Sequence, residues 1–187
     1  RATSLGHEVL HNWWGNGVFA DVSRGNWSEG LTTFMADYHY KERDSADAAR
    51  ETRLAWLRDF AALPGDAHAS LASFRSRTHG AAAALGYGKA AMVFFMLRDL
   101  IGEPAFERGV RMFWESQQFK AASWDDLRDA FEQASGRALR PFFLQWIERA
   151  GGPRVRIAKA QVREHRDGKQ LELAIEQSAP AYALRVP

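Results

Sequence analysis

The chain has 187 residues, 46% of them hydrophobic and 26% charged, with a formal net charge of +2. This describes a globular chain of one domain, or of one domain and part of a second, and excludes a disordered or fibrous protein. Without cysteine there are no disulfides and no thiolate metal sites. No block of like charges occurs, so nucleic acid is a poor candidate partner. No apolar run approaches the length needed to span a bilayer, so no span is predicted.

The first four-fifths of the chain carries a helical pattern. Residues 3–14 predict a first helix, with Ser4 as its cap and Gly15-Asn16-Gly17 at its end. Residues 63–83 are the least regular stretch. Further helices are predicted, in chain order, at 27–43, from the cap Ser45, at 85–101, from Pro104, from Ser123 to Gly136, and from Pro141 to Gly151-Gly152.

The pattern changes at Pro153. Two runs of alternating apolar and charged residues flank Asp167-Gly168 and predict a β-hairpin, and residues 181–186 predict a third strand. Because two or three strands rarely stand alone, residues 153–187 are expected to begin a β-domain that follows a helical domain at residues 1–152. We expect the chain to be a piece of a longer protein, so its localisation is not readable.

The residues His7-Glu8-Val9-Leu10-His11 form an H-E-x-x-H motif. On a helix, residues four apart lie on one face, so both imidazoles can reach the same ion. The carboxylate of Glu8 can then hold a water beside that ion. Two ligands and a general base from one helical turn are typical of zinc hydrolases. The alternative is a chance match, in which two surface histidines flank a solvated glutamate.

A catalytic zinc ion needs a third protein ligand and one open position. The candidate is Glu29, at the start of the predicted second helix. The connector before it contains two turns, at Gly15-Asn16-Gly17 and Ser23-Arg24-Gly25, which can bring the second helix back to the first. Two histidines and a glutamate are an established ligand set for hydrolytic zinc. The sequence therefore predicts one Zn²⁺ per chain, held by His7, His11 and Glu29.

Other polar residues are weaker candidates. Tyr87, between two glycines, fits a catalytic or a buried structural tyrosine equally well. Asp37 could orient a zinc ligand, although a solvated helix charge is the simpler interpretation. Lys89 could steer a substrate, and a surface or salt-bridged role is an equal alternative. The remaining histidines are not predicted to be ligands; they are His39, His68, His79 and His165.

The motifs resemble those of the gluzincin aminopeptidases, the family of aminopeptidase N and leukotriene hydrolase. The family pattern is H-E-x-x-H, a W-[FW]-G-N segment, a Glu-Gly pair that opens the next helix, and a later Tyr-x-Lys-Gly stretch. The matching segments here are His7 to His11, Trp13-Trp14-Gly15-Asn16, Glu29-Gly30 and Tyr87-Gly88-Lys89-Ala90. Weaker similarity runs from Trp124 to Pro153 and through Gln177-Ser178-Ala179-Pro180 and Val186-Pro187, so the resemblance spans essentially the whole chain.

The resemblance implies a mainly α fold, a thermolysin-like helical catalytic subdomain with the H-E-x-x-H helix, followed by a short β segment. It implies that His7, His11 and Glu29 bind zinc, that Glu8 is the general base, and that Tyr87 stabilises the oxyanion. The implied activity is zinc-dependent hydrolysis of peptide bonds, with an aminopeptidase removing N-terminal residues from a peptide substrate.

The sequence departs from the family pattern at several points. Seventeen residues separate His11 from Glu29, one fewer than usual, Ser28 replaces an Asn, and Ala90 replaces a Gly. The family's Gly-x-Met-Glu-Asn motif, whose Glu holds the substrate's free amine, belongs upstream of the zinc helix and is not in this chain. Aminopeptidase and endopeptidase specificity are therefore both open, and zinc binding is expected to survive better than activity without the N-terminal and C-terminal domains of the parent protein.

Two other functions compete with peptide hydrolysis. A catalytically inert, peptidase-like interaction module would be marked by loss of a ligand or of the base, and neither is lost here. A zinc hydrolase acting on a non-peptide substrate, such as an epoxide, would differ in the shape of its pocket, which the sequence does not give.

Overall fold

The structure, a computed structural model, describes residues 2–76 and 80–185, with only the backbone of residues 2–4 and 66. His79, Val186 and Pro187 therefore lie outside the described residues. The chain divides into two compact units, Arg1–Ala150 and Gly151–Pro187. The first is mainly helical and the second is a β-hairpin, so the predicted fold class is confirmed.

Nine α-helices and three π-helical turns make up most of the described part of the first unit. The α-helices are α1 (Ala2–Leu10), α2 (Ser28–Thr32), α3 (His39–Asp44), α4 (Ala46–Ala61), α5 (Gly80–Ala83), α6 (Ala90–Ile101), α7 (Glu103–Gln117), α8 (Trp124–Ser135) and α9 (Arg140–Phe143). The π turns are Thr33–Tyr38 between α2 and α3, Ala84–Lys89 between α5 and α6, and Leu144–Glu148 after α9. The sequence predicted continuous helices at these places and did not indicate the wider turns.

Several predicted helix ends are confirmed. The hydroxyl of Ser45 accepts a hydrogen bond from the backbone of Ala48 and caps α4. Ser123 and Asp126 form the reciprocal capping box at the start of α8. Gly136 ends α8 in the left-handed conformation.

The end of the first helix was predicted too late. α1 ends at Leu10 and not at Trp14. The amides of Asn12 and Trp13 bond to carbonyls only three residues back, which tightens the backbone out of the α-helix. The same turn leads into β1 (Phe19–Ala20), which pairs in parallel with β2 (Ala121–Ala122), a short pairing that the sequence did not indicate.

The core of the first unit is aromatic and aliphatic. Its largest fully buried side chains come from the segment before α2, the first π turn and helices α6 to α8; they include Trp27, Tyr38, Phe94, Phe113, Phe131 and Leu127. The indole of Trp27 donates to the carbonyl of Ala122 at 2.7 Å, which ties the start of α2 to β2. The position of α2 is therefore set by buried contacts, as a precise metal site requires.

The second unit is the predicted hairpin, β3 (Val155–His165) paired antiparallel with β4 (Gly168–Gln177). A register shift between Ile157 and Lys159 leaves Ala158 unpaired. This bulge moves the later apolar residues of β3 onto the face of the earlier ones, because one extra residue reverses the alternation. The large apolar side chains of that face are 39–63% exposed; they are Val155, Ile157, Val162, Leu171, Leu173 and Ile175.

The prediction of a third strand is wrong for residues 181–185, which form no strand. The side-chain amide of Gln177 donates to the carbonyl of Tyr182, and its amide oxygen accepts from the Tyr182 backbone N–H. These two bonds occupy the backbone groups that a strand would pair with a neighbour.

The helical stretch Gly80–Ile101 reaches the length and hydropathy of a membrane span. No span was predicted from the sequence. Half of its apolar window is buried inside the fold. Core helices pass the same test, so length and composition are weak indications of a span here.

Gly30 lets α2 approach α6. A Cβ atom at Gly30 would overlap the methyl group of Ala90, and it would also come within 3.3 Å of the Ala90 backbone. The residue after Glu29 is therefore glycine because two helix backbones meet there.

We predict that Gly30→Ala lowers the free energy of unfolding by about 1–3 kcal/mol, because the added methyl overpacks the α2–α6 contact. The cost should shrink when Ala90→Gly is present, since the overlapping methyl is then absent. Urea unfolding of both single variants and the double variant measures this coupling. Gly80→Ala, where an added Cβ meets no atom within 4 Å, is the control. Equal costs of Gly30→Ala in the two backgrounds would contradict the steric explanation.

Candidate metal centre

His7 and His11 project from one face of the first helix. The backbone N–H of His11 donates to the carbonyl of His7 at 3.2 Å, which continues the helical period one residue past α1. Their ring centroids are 4.8 Å apart, with the planes nearly perpendicular. His7 is buried, whereas His11 is partly exposed. This confirms that the motif places both imidazoles on the same side of the helix.

Each imidazole is held through its Nδ1 atom. His7 Nδ1 lies 2.9 Å from Asp37 Oδ2, and His11 Nδ1 lies 2.8 Å from the carbonyl oxygen of Trp14. A carbonyl oxygen only accepts, so His11 Nδ1 carries the hydrogen. The Asp37 carboxylate places the hydrogen of His7 in the same way. Both rings, when neutral, then present the lone pair of Nε2, which is the atom available to a metal.

Glu29 brings a carboxylate to both Nε2 atoms. Its Oε2 lies 3.4 Å from His7 Nε2 and 3.3 Å from His11 Nε2. Asn26 stabilises the start of α2, because its side-chain oxygen accepts hydrogen bonds from both the backbone N–H and the hydroxyl of Ser28. The shortened connector therefore still delivers Glu29 to the two histidines.

Without a metal, these contacts shift the pKa values of two of the three residues. The hydrogen bond to Asp37, and next the one to Glu29, raise the pKa of His7 from 6.5 to about 9 despite its burial. Burial acts to raise the pKa of Glu29, but the hydrogen bond from His7, the charge of His11 and a hydrogen bond from Tyr87 together lower it. Protonated His7 is favoured in the metal-free folded state, and its contribution to the free energy of unfolding is fully present below pH 6.5. This contribution is lost as the pH rises through about 9.

Tyr87 and Glu8 flank this cluster differently. The Tyr87 ring stacks on His7 with centroids 6.1 Å apart, and the Tyr87 hydroxyl helps to lower the pKa of the Glu29 carboxyl. The π turn Ala84–Lys89 carries it. The Glu8 side chain is exposed and, in the part of the chain that the structure describes, it makes no hydrogen bond or ion pair. Its carboxylate is thus available to a water molecule.

The weaker histidines do not join the cluster. His39 and His165 are exposed, and His68 lies 2.9 Å from the carbonyl of Leu63 through Nε2. Among the described residues, the grouping with metal-ligand geometry is His7, His11 and Glu29. Lys89 is buried, with its ammonium 5.3 Å from the centre of the Phe60 ring, so of the roles left open for it the surface position is excluded.

Sequence reasoning did not establish the partner of His7. The sequence left two roles open for Asp37, orienting a zinc ligand or being a solvated charge on a helix. In the structure its carboxylate is hydrogen-bonded to His7. An acidic residue eight positions after Glu29 carried no usable signal, because the π turn between them was not visible in the sequence.

The three donors fit a zinc ion. Their ligating atoms all lie within 4.8 Å of one another. Zinc ligands lie about 2.0–2.2 Å from a tetrahedral ion, which places neighbouring donor atoms about 3.3–3.6 Å apart. The two histidine–Glu29 separations of 3.4 and 3.3 Å agree with that spacing. Two imidazole nitrogens and one carboxylate oxygen are also the donor types that zinc prefers in catalytic sites.

Comparisons with known proteins agree with this geometry. Residues 2–146 match the peptidase family M1 domain. Aminopeptidase N of Caulobacter vibrioides is 31% identical over 160 residues, which cover 83% of this chain and 18% of that protein. Aminopeptidase N of Escherichia coli is 30% identical over 182 residues, which cover 95% of this chain and 20% of that protein. The chain thus spans about a fifth of the length of these relatives.

Solved structures show the same fold. Aminopeptidase A of Legionella pneumophila, in complex with aspartic acid, superposes with a TM-score of 0.61 at 27% identity over 92% of this chain and 19% of that one. An M1 zinc metallopeptidase of Deinococcus radiodurans gives a TM-score of 0.66 at 22% identity over 82% of this chain and 34% of that one.

We predict that the apparent zinc affinity of the chain rises with pH between about 7 and 9. A ligating imidazole must be unprotonated, and in the metal-free protein His7 loses its proton only near pH 9. The expected slope is about tenfold per pH unit, levelling off above the pKa of His7. Competition titrations against a zinc chelator at several pH values measure it. An affinity that is flat from pH 7 to 9 would contradict this assignment.

Proposed function

The chain belongs to peptidase family M1, and on that premise we propose that it carries the catalytic centre of a zinc-dependent aminopeptidase. The observation that carries the proposal is the convergence of His7 Nε2, His11 Nε2 and Glu29 Oε2 at separations suited to one zinc ion. These three residues would hold a single Zn²⁺ per chain. Such an ion supplies an activated water and an electrophile for the substrate carbonyl.

Glu8 is the proposed general base. Its exposed carboxylate follows His7 directly in the helix and has no protein partner among the described residues. It can accept a proton from the attacking water at one carboxylate oxygen and then donate that proton to the leaving amine. A carboxylate already tied into an ion pair would do this less well.

Tyr87 is the proposed oxyanion donor. Its ring stacks on His7, and its hydroxyl helps to lower the pKa of Glu29, which supports a position at the edge of the cluster. From there its O–H can donate to the oxygen of the scissile carbonyl as negative charge develops on it. The hydrogen then turns from Glu29 to the carbonyl oxygen, while the ring keeps its place beside His7.

Peptides are the proposed substrates, with cleavage at the free N-terminus. The support is the set of relatives named aminopeptidase N and the structure of an aminopeptidase A with a single amino acid bound. Residues 153–187 are proposed to begin a following β-domain. The apolar face of the hairpin is exposed, and further strands of such a domain would cover it.

Zinc content tests the metal site first. The wild-type chain is expected to retain about one zinc ion after dialysis, and His11→Ala should lose it, because two ligands rarely hold catalytic zinc. Elemental analysis per mole of chain gives the ratio. His165→Ala, in the hairpin, is the matched control and should leave zinc bound. A folded wild type without zinc would reject the proposal.

Loss of the base tests the chemistry. In the protein that contains this chain, Glu8→Gln should reduce kcat for an unblocked aminoacyl amide by about 10²–10⁴-fold with zinc content unchanged. Glu115→Gln is an exposed control on α7. Substrates with an acetylated N-terminus should be poor for the wild type. Full activity in Glu8→Gln would disprove its role, and equal cleavage of blocked peptides would indicate an endopeptidase.

A further inference from the structure

The first π turn delivers a carboxylate to a zinc-site histidine. Asp37 lies 30 residues after His7 and in a different helical run, yet its Oδ2 is 2.9 Å from His7 Nδ1. We infer that Asp37 is the positioning residue of His7 and that the turn Thr33–Tyr38 exists to place it there. This inference rests on the proposed zinc site.

Helix geometry explains why the wide turn is needed. Two α-helical turns span about seven residues, so in an unbroken α-helix the residue on the Glu29 face would be Ala36. Asp37, one residue further, would be rotated about 80–100° away from that face. A π turn holds about one residue more than an α turn. With the turn at Thr33–Tyr38, Asp37 returns to the Glu29 face and Ala36 is buried in the core.

The two zinc-site imidazoles therefore have different supports. His11 is held by the neutral carbonyl of Trp14, three residues away in the same segment. His7 is held by a charged group from the helical run that also carries Glu29. One run of helix thus supplies both a ligand and the group that orients another ligand. Without Asp37, the ring of His7 would lose the hydrogen bond at Nδ1 and could turn its Nε2 away from Glu29.

The turn itself does not depend on Asp37. Phe34 and Tyr38, at either end of the turn, are buried in the core and stack on each other with centroids 5.7 Å apart. The hydroxyl of Tyr38 accepts a hydrogen bond from Arg53 of α4. The Asp37 side chain is 31% exposed. Truncating Asp37 should therefore leave the fold intact and disturb mainly the orientation of His7.

The test compares Asp37→Ala, Asp37→Asn and Asp37→Glu with the exposed control Asp44→Ala at the end of α3. Zinc dissociation constants are measured on the full chain by chelator competition, and metal-free unfolding is followed in urea. Near pH 9, where the proton on His7 competes least with zinc, we expect Asp37→Ala to weaken zinc binding by about 10- to 100-fold. Asp37→Asn should lose less, because its amide oxygen still accepts from Nδ1–H, and Asp37→Glu should recover part of the affinity. Asp44→Ala should bind zinc like the wild type.

A second readout separates positioning from structure. Cobalt(II) replaces zinc as a spectroscopic probe, and its visible absorption should change in Asp37→Ala because the ligand orientation changes. The metal-free variant should still unfold in a single cooperative urea transition, as Asp44→Ala does, because the turn is held by Phe34 and Tyr38. Unchanged zinc affinity in Asp37→Ala would overturn the inference, as would loss of the cooperative urea transition in the metal-free variant. Absence of zinc in the wild type would instead reject the proposed function.

Discussion

The proposed zinc site needs ligating atoms of His7, His11 and Glu29, from two helical segments, to lie within 4.8 Å of one another, and polar groups gather in a partly buried place only when they have partners. The rest of the first unit serves this requirement. The α2–α6 contact at Gly30 and the hydrogen bond from Trp27 to β2 fix the position of Glu29 in α2. The π turn fixes the position of the Asp37 carboxylate beside His7.

The electrostatics of the metal-free site follow from the same arrangement. Two carboxylates surround His7, so the imidazole holds a proton with a pKa of about 9 until a metal replaces it. The positive charge of that proton compensates the carboxylates in the absence of zinc. At the proposed zinc site, metal binding would exchange one cation for another.

The π turns connect local backbone geometry to the proposed chemistry. One carries Asp37 and another carries Tyr87, each beside His7. A turn with one extra residue changes which side chain faces the site without changing the direction of the helix, which is why such turns are frequent at functional sites. The proposed base, Glu8, needs no such device, because its position in the motif already sets it beside the ligands.

The sequence by itself determined what is encoded locally: the H-E-x-x-H face, the caps at Ser45 and Ser123, and the hairpin turn at Asp167-Gly168. It also indicated Glu29, through residue type and position, although not its distance from the histidines. Only the tertiary structure decided the end of α1, the burial of Lys89, the absence of a strand at residues 181–185 and the pairing of Asp37 with His7. Periodicity is a property of neighbouring residues, whereas a π turn or a buried contact is selected by packing between segments far apart in the chain.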